Sequence, residues 1–481
     1  MPFADPFLYF NFSNEQGNIE PLQFRNPYKV LIAYKQTEVM PILKEINEHV
    51  HKGAYAAGFI TYEAAGAFDD NYQVHTPDEH MPLLWFGLFQ KPKRQSIPYK
   101  VNGKSISPNW EFPISQDKYL KQLTAIQSDL KQFNVQQLNF TLALKTKWTI
   151  DSAFDYYMQL KHAQEAKYTS YLNIGRLQIL SISPELFFRI KDDVLTVKPM
   201  KGTIDRGKTY AEDIEKYNWL QKSMKNKIEN DIIVQLMIEE LQKVTDPQSI
   251  QIEDPYKIET YPTVFQMTST IKGRMNQHLS WVDILKTLFP SGSITGNPKK
   301  EAMRFIHKYE QGHRGAYCGA IGYITPDREA IFNVPIRTVT IDSLTEKATF
   351  GVGSGITLNS PPKEEFEELR TKAELLTLEF EPFQLLESFG LKNGEYIVFE
   401  DHIQRLEQSA AYFNFELDKK TILLDLTQIR NDNPNGSYKV RLLVNKNGSY
   451  DIDVQPIKGL DEPVHVGLAK TPIDSKNPFL Y

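Results

Sequence analysis

The sequence reads Val197-Lys198-Pro199-Met200-Lys201-Gly202-Thr203-Ile204-Asp205-Arg206-Gly207 directly after a short run of β-forming residues. In it Lys201 is followed at once by a glycine, which lets backbone approach a ligand closely. Lys201 is therefore predicted to stand at the end of a strand, where its side chain can reach a pocket. The alternative is an ordinary surface lysine in a loop. The stretch alone favours that alternative, because short motifs often match by chance.

The composition is that of a soluble globular protein. The chain has 481 residues, enough for two or more domains, and 41% of them are hydrophobic and 24% charged. The net charge of -5 and the lack of a long basic run argue against a nucleic-acid binder, which needs a basic face. No apolar run reaches the length of a membrane span. We therefore expect neither a nucleic-acid partner nor a membrane partner.

Residues 1–5 lack the basic and apolar regions of a signal peptide. Cys318 is the single cysteine, so the chain has no internal disulfide and no cysteine-based metal site. Both features are typical of the cytoplasm, where thiols stay reduced, and we expect a cytoplasmic protein. Cys318 lies in an apolar run and is more typical of a small core residue than of a nucleophile.

Hydrophobic periodicity predicts a chain of mixed helices and strands. Helices are predicted over 42–51, 116–132, 153–167, 211–244, 301–309, 363–378 and 401–413. Strands are predicted over 135–142, 178–183, 187–197, 315–324 and 330–341. The strands before and after Ser183-Pro184-Glu185-Leu186 are interpreted as a hairpin that turns there.

A carboxylate falls inside the apolar stripe of the helix predicted over 211–244. With residues placed at ~100° per residue, Glu229 lies within the stripe, and Asn226 and Glu240 share its face. A carboxylate in such a place must be paired or bind a metal, because burying it alone is unfavourable. A glutamate at the edge of the stripe that reaches solvent explains the pattern equally well.

A second helix follows the glycine-rich run Gly351-Val352-Gly353-Ser354-Gly355 and the start signal Asn359-Ser360-Pro361-Pro362. Glu365, Glu368 and Lys372 share the face beside its apolar stripe. Such a face is commonly just solvated, but paired carboxylates are also a standard way to hold a divalent cation. Three candidate carboxylates without a histidine or cysteine cluster suit Mg²⁺ better than zinc.

Between these helices the chain reads Pro290-Ser291-Gly292-Ser293-Ile294-Thr295-Gly296-Asn297-Pro298-Lys299-Lys300. The spacing from glycine to lysine does not match a phosphate-binding loop, and a proline interrupts it. Thr295 and backbone N–H groups at the start of the next helix remain a reasonable anion seat. The following strands carry Tyr323 and, in mid-strand, Arg337, which suits either a structural ion pair or bidentate carboxylate binding.

After residue 378 the pattern changes. Residues 379–383 are predicted to be a linker, and residues 384–481 form an α/β unit at the lower end of domain size. Its hairpins turn at Lys392-Asn393-Gly394-Glu395 and at Asn447-Gly448. We therefore predict a first domain over 1–378 and a smaller partial lobe over 384–481.

Taken together, residues 1–378 resemble the chorismate-utilising enzymes, which include anthranilate, aminodeoxychorismate, isochorismate and salicylate synthases. The resemblance rests on several motifs in the right order, beside the stretch around Lys201: Tyr62-Glu63-Ala64-Ala65, Ser183-Pro184-Glu185, Ile228-Glu229-Asn230, Gly292-Ser293-Ile294-Thr295-Gly296, Arg314-Gly315-Ala316-Tyr317-Cys318-Gly319-Ala320-Ile321-Gly322-Tyr323 and Glu365-Phe366-Glu367-Glu368. It implies an α+β fold, a large domain of two facing sheets with helices outside.

Two positions point to one branch of this family. Pro199-Met200-Lys201-Gly202-Thr203 resembles the aminodeoxychorismate synthases, whereas anthranilate synthases have alanine in place of the lysine. Gln137 stands where isochorismate and salicylate synthases carry a general-base lysine. The resemblance therefore implies a component I activity that converts chorismate and ammonia to 4-amino-4-deoxychorismate for 4-aminobenzoate and folate synthesis.

The resemblance also implies the roles of individual residues. Its Mg²⁺ site has the ligands Glu229, Glu365 and Glu368. Lys201 forms a covalent adduct with the substrate, and Glu185 shuttles protons. The substrate-binding residues that it implies are Arg337, Tyr323, Thr295, Gly353 and Lys372. A separate glutaminase subunit is expected to supply ammonia, because a glutaminase of the usual type needs a nucleophilic cysteine.

This chain departs from the family pattern at a few positions. Gln266 replaces a histidine, and Asn226 stands where an acid is common. The turn after the first metal-binding helix reads Ile238-Glu239-Glu240 instead of Arg-Asn-Asp. These departures bear on an acid–base residue and on an outer metal contact, and they leave the predicted fold unchanged.

Residues 384–481 resemble the N-terminal lobe of class IV pyridoxal-phosphate enzymes, the aminodeoxychorismate lyase group. The matching runs are Leu386-Glu387-Ser388-Phe389 and Asp401-His402-Ile403-Gln404-Arg405-Leu406. In that family the Schiff-base lysine comes just after a run like Pro478-Phe479-Leu480-Tyr481, where this sequence stops. We therefore expect no functional pyridoxal phosphate site and no lyase activity in this chain.

Three other interpretations compete with this one. Anthranilate synthase component I is disfavoured by Lys201. A non-catalytic chorismate-binding protein is favoured if the changes at Gln266 and Asn226 have removed turnover. A pyridoxal-phosphate transaminase is disfavoured by the missing lysine.

Overall fold

The computed structural model describes residues 5–98, 106–378, 382–457 and 467. Most of the predicted linker over 379–383 lies outside this part of the chain, as does the run Pro478-Phe479-Leu480-Tyr481. The prediction that rests on that run therefore stays a prediction.

The chain forms two compact units whose composition differs from the division predicted from sequence. Unit 1 comprises Met1–Gly202, Ser223–Tyr261 and Gln266–Phe380. Unit 2 comprises Thr203–Lys222, Pro262–Phe265 and Glu381–Tyr481. Two segments of the predicted first domain thus fold with the C-terminal lobe, because a helix over 210–222 packs against a helix over 399–413.

The strands are short and follow one another with irregular spacing. They are β1 (Phe7–Ser13), β2 (Ile19–Arg25), β3 (Lys29–Ala33), β4 (Tyr55–Ile60), β5 (Leu84–Phe89), β6 (Gln137–Lys147), β7 (Tyr168–Asn173), β8 (Leu177–Ser183), β9 (Leu186–Lys191), β10 (Val194–Lys198), β11 (Met200–Asp205), β12 (Gln251–Thr260), β13 (Val264–Arg274), β14 (Gly296–Asn297), β15 (Ala320–Ile324), β16 (Ala330–Asn333), β17 (Thr338–Asp342), β18 (Lys347–Ile356), β19 (Leu385–Lys392), β20 (Glu395–Tyr396), β21 (Ser437–Val444) and β22 (Tyr450–Pro456).

The helices lie between these strands. They are α1 (Gln36–His51), α2 (Gln116–Gln132), α3 (Ala153–Gln164), α4 (Tyr210–Lys222), α5 (Met224–Leu241), α6 (Trp281–Leu288), α7 (Lys299–Tyr309), α8 (Pro362–Glu374), α9 (Phe399–Phe413) and α10 (Lys419–Asp432). In the described ranges, no helix is long and apolar enough to cross a membrane.

Two large sheets dominate the fold. An 8-stranded sheet has the order β14-β6-β18-β17-β8-β7-β1-β2, and a 10-stranded sheet has the order β11-β13-β10-β9-β16-β15-β4-β5-β3, with β12 on β13. Phe10, Phe12 and Phe24 of the first sheet share one buried cluster with Phe59 and Trp85 of the second. The sheets therefore face each other across an aromatic layer, and the predicted α+β fold with two facing sheets is confirmed.

Helix α2 shows why the outer helices could be predicted from sequence. Tyr119, Leu123, Ile126 and Leu130 are buried at helical spacing, which places one apolar stripe against the rest of unit 1. The Ser115 hydroxyl accepts from the Lys118 N–H and caps the N-terminus. Its observed bounds match the predicted helix over 116–132, because both signals are local.

The predicted hairpin around Ser183-Pro184-Glu185-Leu186 is wrong. β8 lies in the 8-stranded sheet and β9 in the 10-stranded sheet, so the chain crosses between sheets at this point. A proline has no N–H to donate to a strand ladder, which favours the break. The true hairpin turns at Asp192 and Asp193, whose φ angles of 51° and 58° are those of a tight turn between paired strands.

The single strand predicted over 330–341 is likewise two strands in different sheets. β16 pairs with β9 and β15, whereas β17 pairs with β8 and β18. Arg337 lies in the crossing between them with φ of 52°, not in mid-strand. Pro335 in this crossing removes another ladder donor. Glu185 and Arg337 thus occupy equivalent positions, each where the chain changes sheets.

The long helix predicted over 211–244 is divided into α4 and α5. Ser223 separates them, and its hydroxyl accepts from the Asn226 N–H as the N-cap of α5. Asn226 and Glu240 are buried on α5, whereas Glu229 is half-buried. The sequence could not resolve the break because a serine is tolerated within helices as well as at their starts.

Unit 2 contains a 4-stranded sheet of order β20-β19-β21-β22, with α9 and α10 among its helices. Phe389 on the sheet and Leu406 and Leu426 on the helices belong to its own hydrophobic core. The predicted small α/β lobe corresponds to this sheet and α9, whereas α10 had not been predicted.

Candidate active site

Three glycines of β18 form the floor of the candidate site. Gly351, Gly353 and Gly355 lie on one face of the strand, which we call the glycine face. A β-carbon on Gly351 would lie 2.3 Å from the Tyr317 ring, and one on Gly355 would lie 2.1 Å from Gln137 Nε2. Side chains from other strands and loops therefore approach this backbone more closely than any residue but glycine allows.

Lys201 reaches the glycine face from β11. Its Nζ lies 3.4 Å from the Ser293 carbonyl, and a β-carbon on Gly355 would be 3.2 Å from it. The residue is half-buried. Burial lowers the pKa of the Lys201 ammonium, the charge of Glu185 opposes this, and Lys372 adds to it. The surface-loop interpretation of Lys201 is thereby wrong, because its amine is directed inward.

Glu185 is held rigidly at the sheet crossing. Its N–H donates to Ser183 Oγ over 3.1 Å, and its carbonyl accepts from the Val334 N–H over 3.1 Å. Its side chain is buried, and burial raises its pKa to about 7, against the opposing effects of the Ser293 hydroxyl and the Lys201 charge. Glu185 and Lys201 thus form an acid–base pair beside one serine.

The loop after α6 supplies Ser293 to this pair, a residue for which the sequence by itself indicates no role. Ser291 Oγ and Ser293 Oγ are 2.9 Å apart. The expected role of Thr295 needs correction: its hydroxyl donates to the Ser291 carbonyl over 3.0 Å and closes its own turn. It precedes Lys299, the first residue of α7, by four positions, so it does not form an anion seat at a helix N-terminus.

A buried arginine fixes this loop. Arg314 donates to the carbonyls of Ile294 and Asn139, over 2.8 Å in each case, and is paired with Glu310 at 2.6 Å. Its guanidinium also lies 4.6 Å from the centre of the Tyr62 ring. Because every contact joins a different segment, Arg314 holds the serine loop in place beside β6.

Helix α8 contributes two carboxylates, Glu365 and Glu368, and the lysine Lys372 to the candidate site. Lys372 Nζ lies 2.8 Å from the Gly353 carbonyl and 2.6 Å from Glu368 Oε1. Glu365 Oε2 is buried without a hydrogen-bond partner among the described residues. Burial raises the pKa of Glu365, Ser354 opposes it, and the like charge of Glu368 raises it further. The Lys372 contact places this helix against the glycine face.

The three predicted metal ligands are not preassembled. Within residues 5–98, 106–378 and 382–457, no three carboxylate, histidine or cysteine side chains converge as a metal-binding group. Glu229 on α5 and Glu368 on α8 nevertheless both act electrostatically on Lys201. The pairing of Glu365 and Glu368 on one helix face is as the sequence predicted.

Arg337 lies in the sheet crossing as a half-buried cation. Burial lowers its pKa, and the Tyr261 hydroxyl opposes that effect. No carboxylate of the described residues pairs with its guanidinium. The Tyr261 hydroxyl donates to Glu259, and the carboxylate of Glu259 is paired with Lys167 and Lys198. A half-buried guanidinium without a carboxylate partner in the described chain is suited to bind a carboxylate of a ligand.

Tyr323 does not belong to the site. Its ring packs between the two sheets, 5.4 Å from Phe10 and 5.9 Å from Phe12, and takes part in the aromatic layer. Tyr317 lies at the glycine face instead. A continuous strand over 315–324 would place both tyrosines on one face, but β15 begins at Ala320, and Cys318 has φ of 64°. That reversal separates the two rings.

The positions that depart from the family pattern contact the lysine-bearing strand. Gln266 Nε2 donates to the Gly202 carbonyl over 2.9 Å. Asn226 Nδ2 donates to Ser223 Oγ over 2.8 Å, and a β-carbon on Gly202 would lie 2.9 Å from Asn226 Oδ1. Gly202 has φ of 91°, so glycine is required directly after Lys201 for both conformation and space.

Several proteins of known sequence are similar to this chain. The "Probable aminodeoxychorismate synthase, chloroplastic" of Oryza sativa subsp. japonica is 34% identical over 266 residues, which are 55% of this chain and 30% of that protein. The "Aminodeoxychorismate synthase component 1" of Klebsiella aerogenes is 29% identical over 264 residues, which are 55% of this chain and 58% of that protein. The chain thus spans less than two thirds of these relatives.

Two solved structures share the fold. Anthranilate synthase component I from Streptococcus pneumoniae TIGR4 superposes with a TM-score of 0.62 at 22% identity, over 78% of this chain and 91% of that one. The menaquinone-specific isochorismate synthase MenF from Escherichia coli superposes with a TM-score of 0.62 at 17% identity, over 78% of this chain and 90% of that one. The chorismate binding enzyme family matches residues 5–377. The chain belongs to the family of chorismate binding enzymes.

Proposed function

We propose that this chain aminates chorismate to 4-amino-4-deoxychorismate, as an aminodeoxychorismate synthase component I. The observation that carries the proposal is the inward-facing amine of Lys201, held at the glycine face beside Glu185. The names of the relatives support the same activity. The product would serve 4-aminobenzoate and folate synthesis.

In the proposed reaction Lys201 acts as the nucleophile. Its neutral amine forms a bond to C2 of chorismate, the ring double bonds shift, and the C4–O bond breaks as Glu185 protonates the leaving hydroxyl. Ammonia then forms a bond to C4, the double bonds shift back, and the C2–N bond breaks to free Lys201. Overall, an amino group replaces a hydroxyl group and water is released.

The protonation states of the pair suit these steps. Burial lowers the pKa of Lys201, which increases the neutral fraction that can attack. Burial raises the pKa of Glu185 to about 7, so that both its acid and its base form are available near neutral pH. The acid form donates to the hydroxyl, and the base form accepts a proton from the incoming ammonia.

The charged groups around the pair suit a dicarboxylate substrate. Arg337 offers a half-buried guanidinium, and Lys372 offers an ammonium that already reaches the glycine face. Tyr317 borders the same face, so we assign to it the substrate-binding role that the family resemblance implies for Tyr323. Gly353 contributes backbone beside the ring of the substrate.

We infer that Glu229, Glu365 and Glu368 hold a Mg²⁺ ion, which would neutralise a substrate carboxylate and withdraw electrons from the ring. The fit rests on the buried, unpartnered oxygen of Glu365 and on the like charges of Glu365 and Glu368, both of which a divalent cation would satisfy. Two α8 carboxylates and one from α5 match the oxygen ligands that Mg²⁺ prefers.

We further propose that a glutaminase subunit supplies ammonia. Relatives named "component 1" imply a second component. Cys318 is unsuited to glutamine hydrolysis, because it is buried and burial raises its pKa to about 12. A single buried thiol is also consistent with the expected cytoplasmic location.

The test is to incubate the protein with chorismate, MgCl₂ and an ammonium salt, and to identify the product by mass spectrometry. A product with the mass of 4-amino-4-deoxychorismate supports the proposal. Anthranilate would identify an anthranilate synthase instead. Chorismate binding without turnover, measured by calorimetry, would identify a non-catalytic binding protein.

A further inference from the structure

Two buried charges meet at the base of the loop that carries Ser293. This serine loop comprises residues 289–298 and connects α6 to α7. Lys299 Nζ lies 2.5 Å from Glu240 Oε1 on α5, and the two side chains are 7% and 6% exposed. Lys299 Nζ also donates to the Leu288 carbonyl over 2.9 Å. The pair therefore joins the last residue of α6 to the first residue of α7 and holds both on α5.

Helix α5 contacts the serine loop at a second point, close to Ser293 itself. A β-carbon on Gly292 would lie 2.4 Å from Leu236 Cδ2 and 2.9 Å from Met237 Cε. Leu236 precedes Glu240 by four residues, so the two side chains lie on one face of the helix. The same face of α5 thus carries the contact beside Ser293 and the charge at the base of the loop.

Backbone hydrogen bonds fix the second half of the serine loop against β6 and the residue before it. The Asn139 N–H donates to the Thr295 carbonyl over 2.8 Å, and the Gln136 N–H donates to the Asn297 carbonyl over 2.9 Å. The first half of the loop follows directly from α6. The side chain of Lys299 connects the end of α6 to the fixed half, and all of these residues belong to unit 1.

Stability alone does not explain an ion pair at this place. Removing two charges from water costs free energy that their attraction offsets only in part, and a well-packed apolar pair of similar volume is often at least as stabilising. The ion pair differs from an apolar contact in direction, because hydrogen bonds between charged groups depend on distance and angle. Direction is what a catalytic loop requires, since groups at a reacting centre must be placed within about 0.5 Å.

We propose that Glu240 and Lys299 are positioning residues for Ser293 in the amination reaction and act through the serine loop. This rests on the proposed function. With the pair intact, the Ser293 hydroxyl meets the carboxylate of Glu185, and the Ser293 carbonyl lies 3.4 Å from Lys201 Nζ. Without the pair, the base of the loop loosens, Ser293 no longer stabilises that carboxylate, and proton transfer becomes slower.

The first test compares single and double variants of the full chain. Glu240→Gln and Ser293→Ala should each lower kcat about tenfold and leave the KM for chorismate unchanged. If Glu240 acts through Ser293, the double variant should be no slower than the slower single variant, because the same interaction is lost in each. Losses of kcat that multiply in the double variant would overturn the inference.

The pH dependence of kcat gives a readout that a merely structural role would not move. Ser293 and Lys201 are the groups that act on the buried carboxyl of Glu185, and the Ser293 hydroxyl lowers its pKa. Losing that hydrogen bond should raise the pH at which kcat falls by about half a unit to one unit, in Glu240→Gln as in Ser293→Ala. A shift in Ser293→Ala alone would contradict the inference.

Further variants separate positioning from a loss of folding. Glu240→Asp keeps the charge and should recover most of the kcat. Combining Glu240→Gln with Lys299→Met leaves no unpaired buried charge, and this combination should show the same pH shift as Glu240→Gln. Asp342→Asn is the matched control, because it breaks a partly buried pair with Arg176 at 2.7 Å in the 8-stranded sheet of unit 1. An equal loss of kcat in Asp342→Asn would count against positioning.

Hydrogen exchange over residues 291–297 separates this inference from the proposed function, because it does not require turnover. Exchange should become about threefold faster or more in Glu240→Gln and stay unchanged in Asp342→Asn. If the wild type forms no 4-amino-4-deoxychorismate, the proposed function fails, while faster exchange still supports the restraint of the loop. Unchanged exchange both in Glu240→Gln and in its combination with Lys299→Met would overturn the inference.

Discussion

The glycine face makes a sharp prediction at Gly355. In Gly355→Ala the new β-carbon would lie 2.1 Å from Gln137 Nε2 and 3.2 Å from Lys201 Nζ. An ordinary contact requires about 3.4 Å or more, so the Gln137 amide must move by about 1.3 Å and the Lys201 amine by a few tenths of an ångström. Gly355 lacks a positive φ, so the effect is steric and not conformational.

The expected magnitudes follow from these displacements. Overpacking costs about 1–3 kcal/mol of unfolding free energy, and the flexible end of Gln137 favours the lower end of that range. A misplacement of about 1 Å can lower the rate a hundredfold, so a shift of a few tenths at Lys201 should lower kcat about tenfold. A tenfold loss of kcat corresponds to about 1.4 kcal/mol, so the losses of activity and of stability should be similar in free energy.

The assay pairs denaturant unfolding with the formation of 4-amino-4-deoxychorismate. Gly390→Ala serves as the control, because its β-carbon would lie 3.1 Å from the flexible tip of Ile397, within the C-terminal lobe. That variant should show a small loss of stability and wild-type kcat. If Gly355→Ala keeps its kcat within about twofold of wild type, the proposed closeness of Lys201 to this face is refuted.

Three further predictions test the named groups. Because burial raises the pKa of Glu185 to about 7, wild-type kcat should fall as the acid form is lost above that pH, and Glu185→Gln should be slower and lack this dependence in a pH–rate profile. The pKa of Glu185 is higher in the folded state than in the unfolded state, so ionisation of Glu185 destabilises the folded protein as the pH rises. Above pH 7, Glu185→Gln should therefore unfold at a higher denaturant concentration than the wild type. Lys201→Ala should lower product formation at least about a thousandfold, and an unaffected rate would exclude the covalent adduct. Glu365→Gln should raise the melting temperature of the metal-free protein, because a buried carboxylate without a partner is removed. Adding MgCl₂ should then raise the melting temperature of the variant less than that of the wild type. If MgCl₂ raises both melting temperatures equally, Glu365 is not a metal ligand.

Local features of the fold were predictable where a single segment carries all the information. Helix α2 combines an apolar stripe with a capping serine, and its bounds were predicted correctly. The sheet crossings were not, because an alternating segment before a proline can continue into a hairpin or change sheets. Which of these happens at Glu185 and at Arg337 depends on partner strands elsewhere in the sequence.

The two tyrosines show the same limit within the site. Tyr317 and Tyr323 share one face of a regular strand, so periodicity cannot separate them. The φ of 64° at Cys318 reverses the chain, which leaves Tyr323 in the aromatic layer and Tyr317 at the glycine face. Ser293 was overlooked for a similar reason, since its importance comes from contact with Lys201 and Glu185, both far away in sequence.

The sequence by itself determined the family and the position of a lysine before an obligatory glycine, because ordered motifs and local conformational preferences are properties of short segments. Tertiary structure alone decided that Lys201 points inward, that Glu185 and Ser293 meet it at the glycine face, and that the following turn folds with the C-terminal lobe. The physical reason is that burial and charge, which set the reactivity of Lys201, arise from residues brought together only when the sheets have paired.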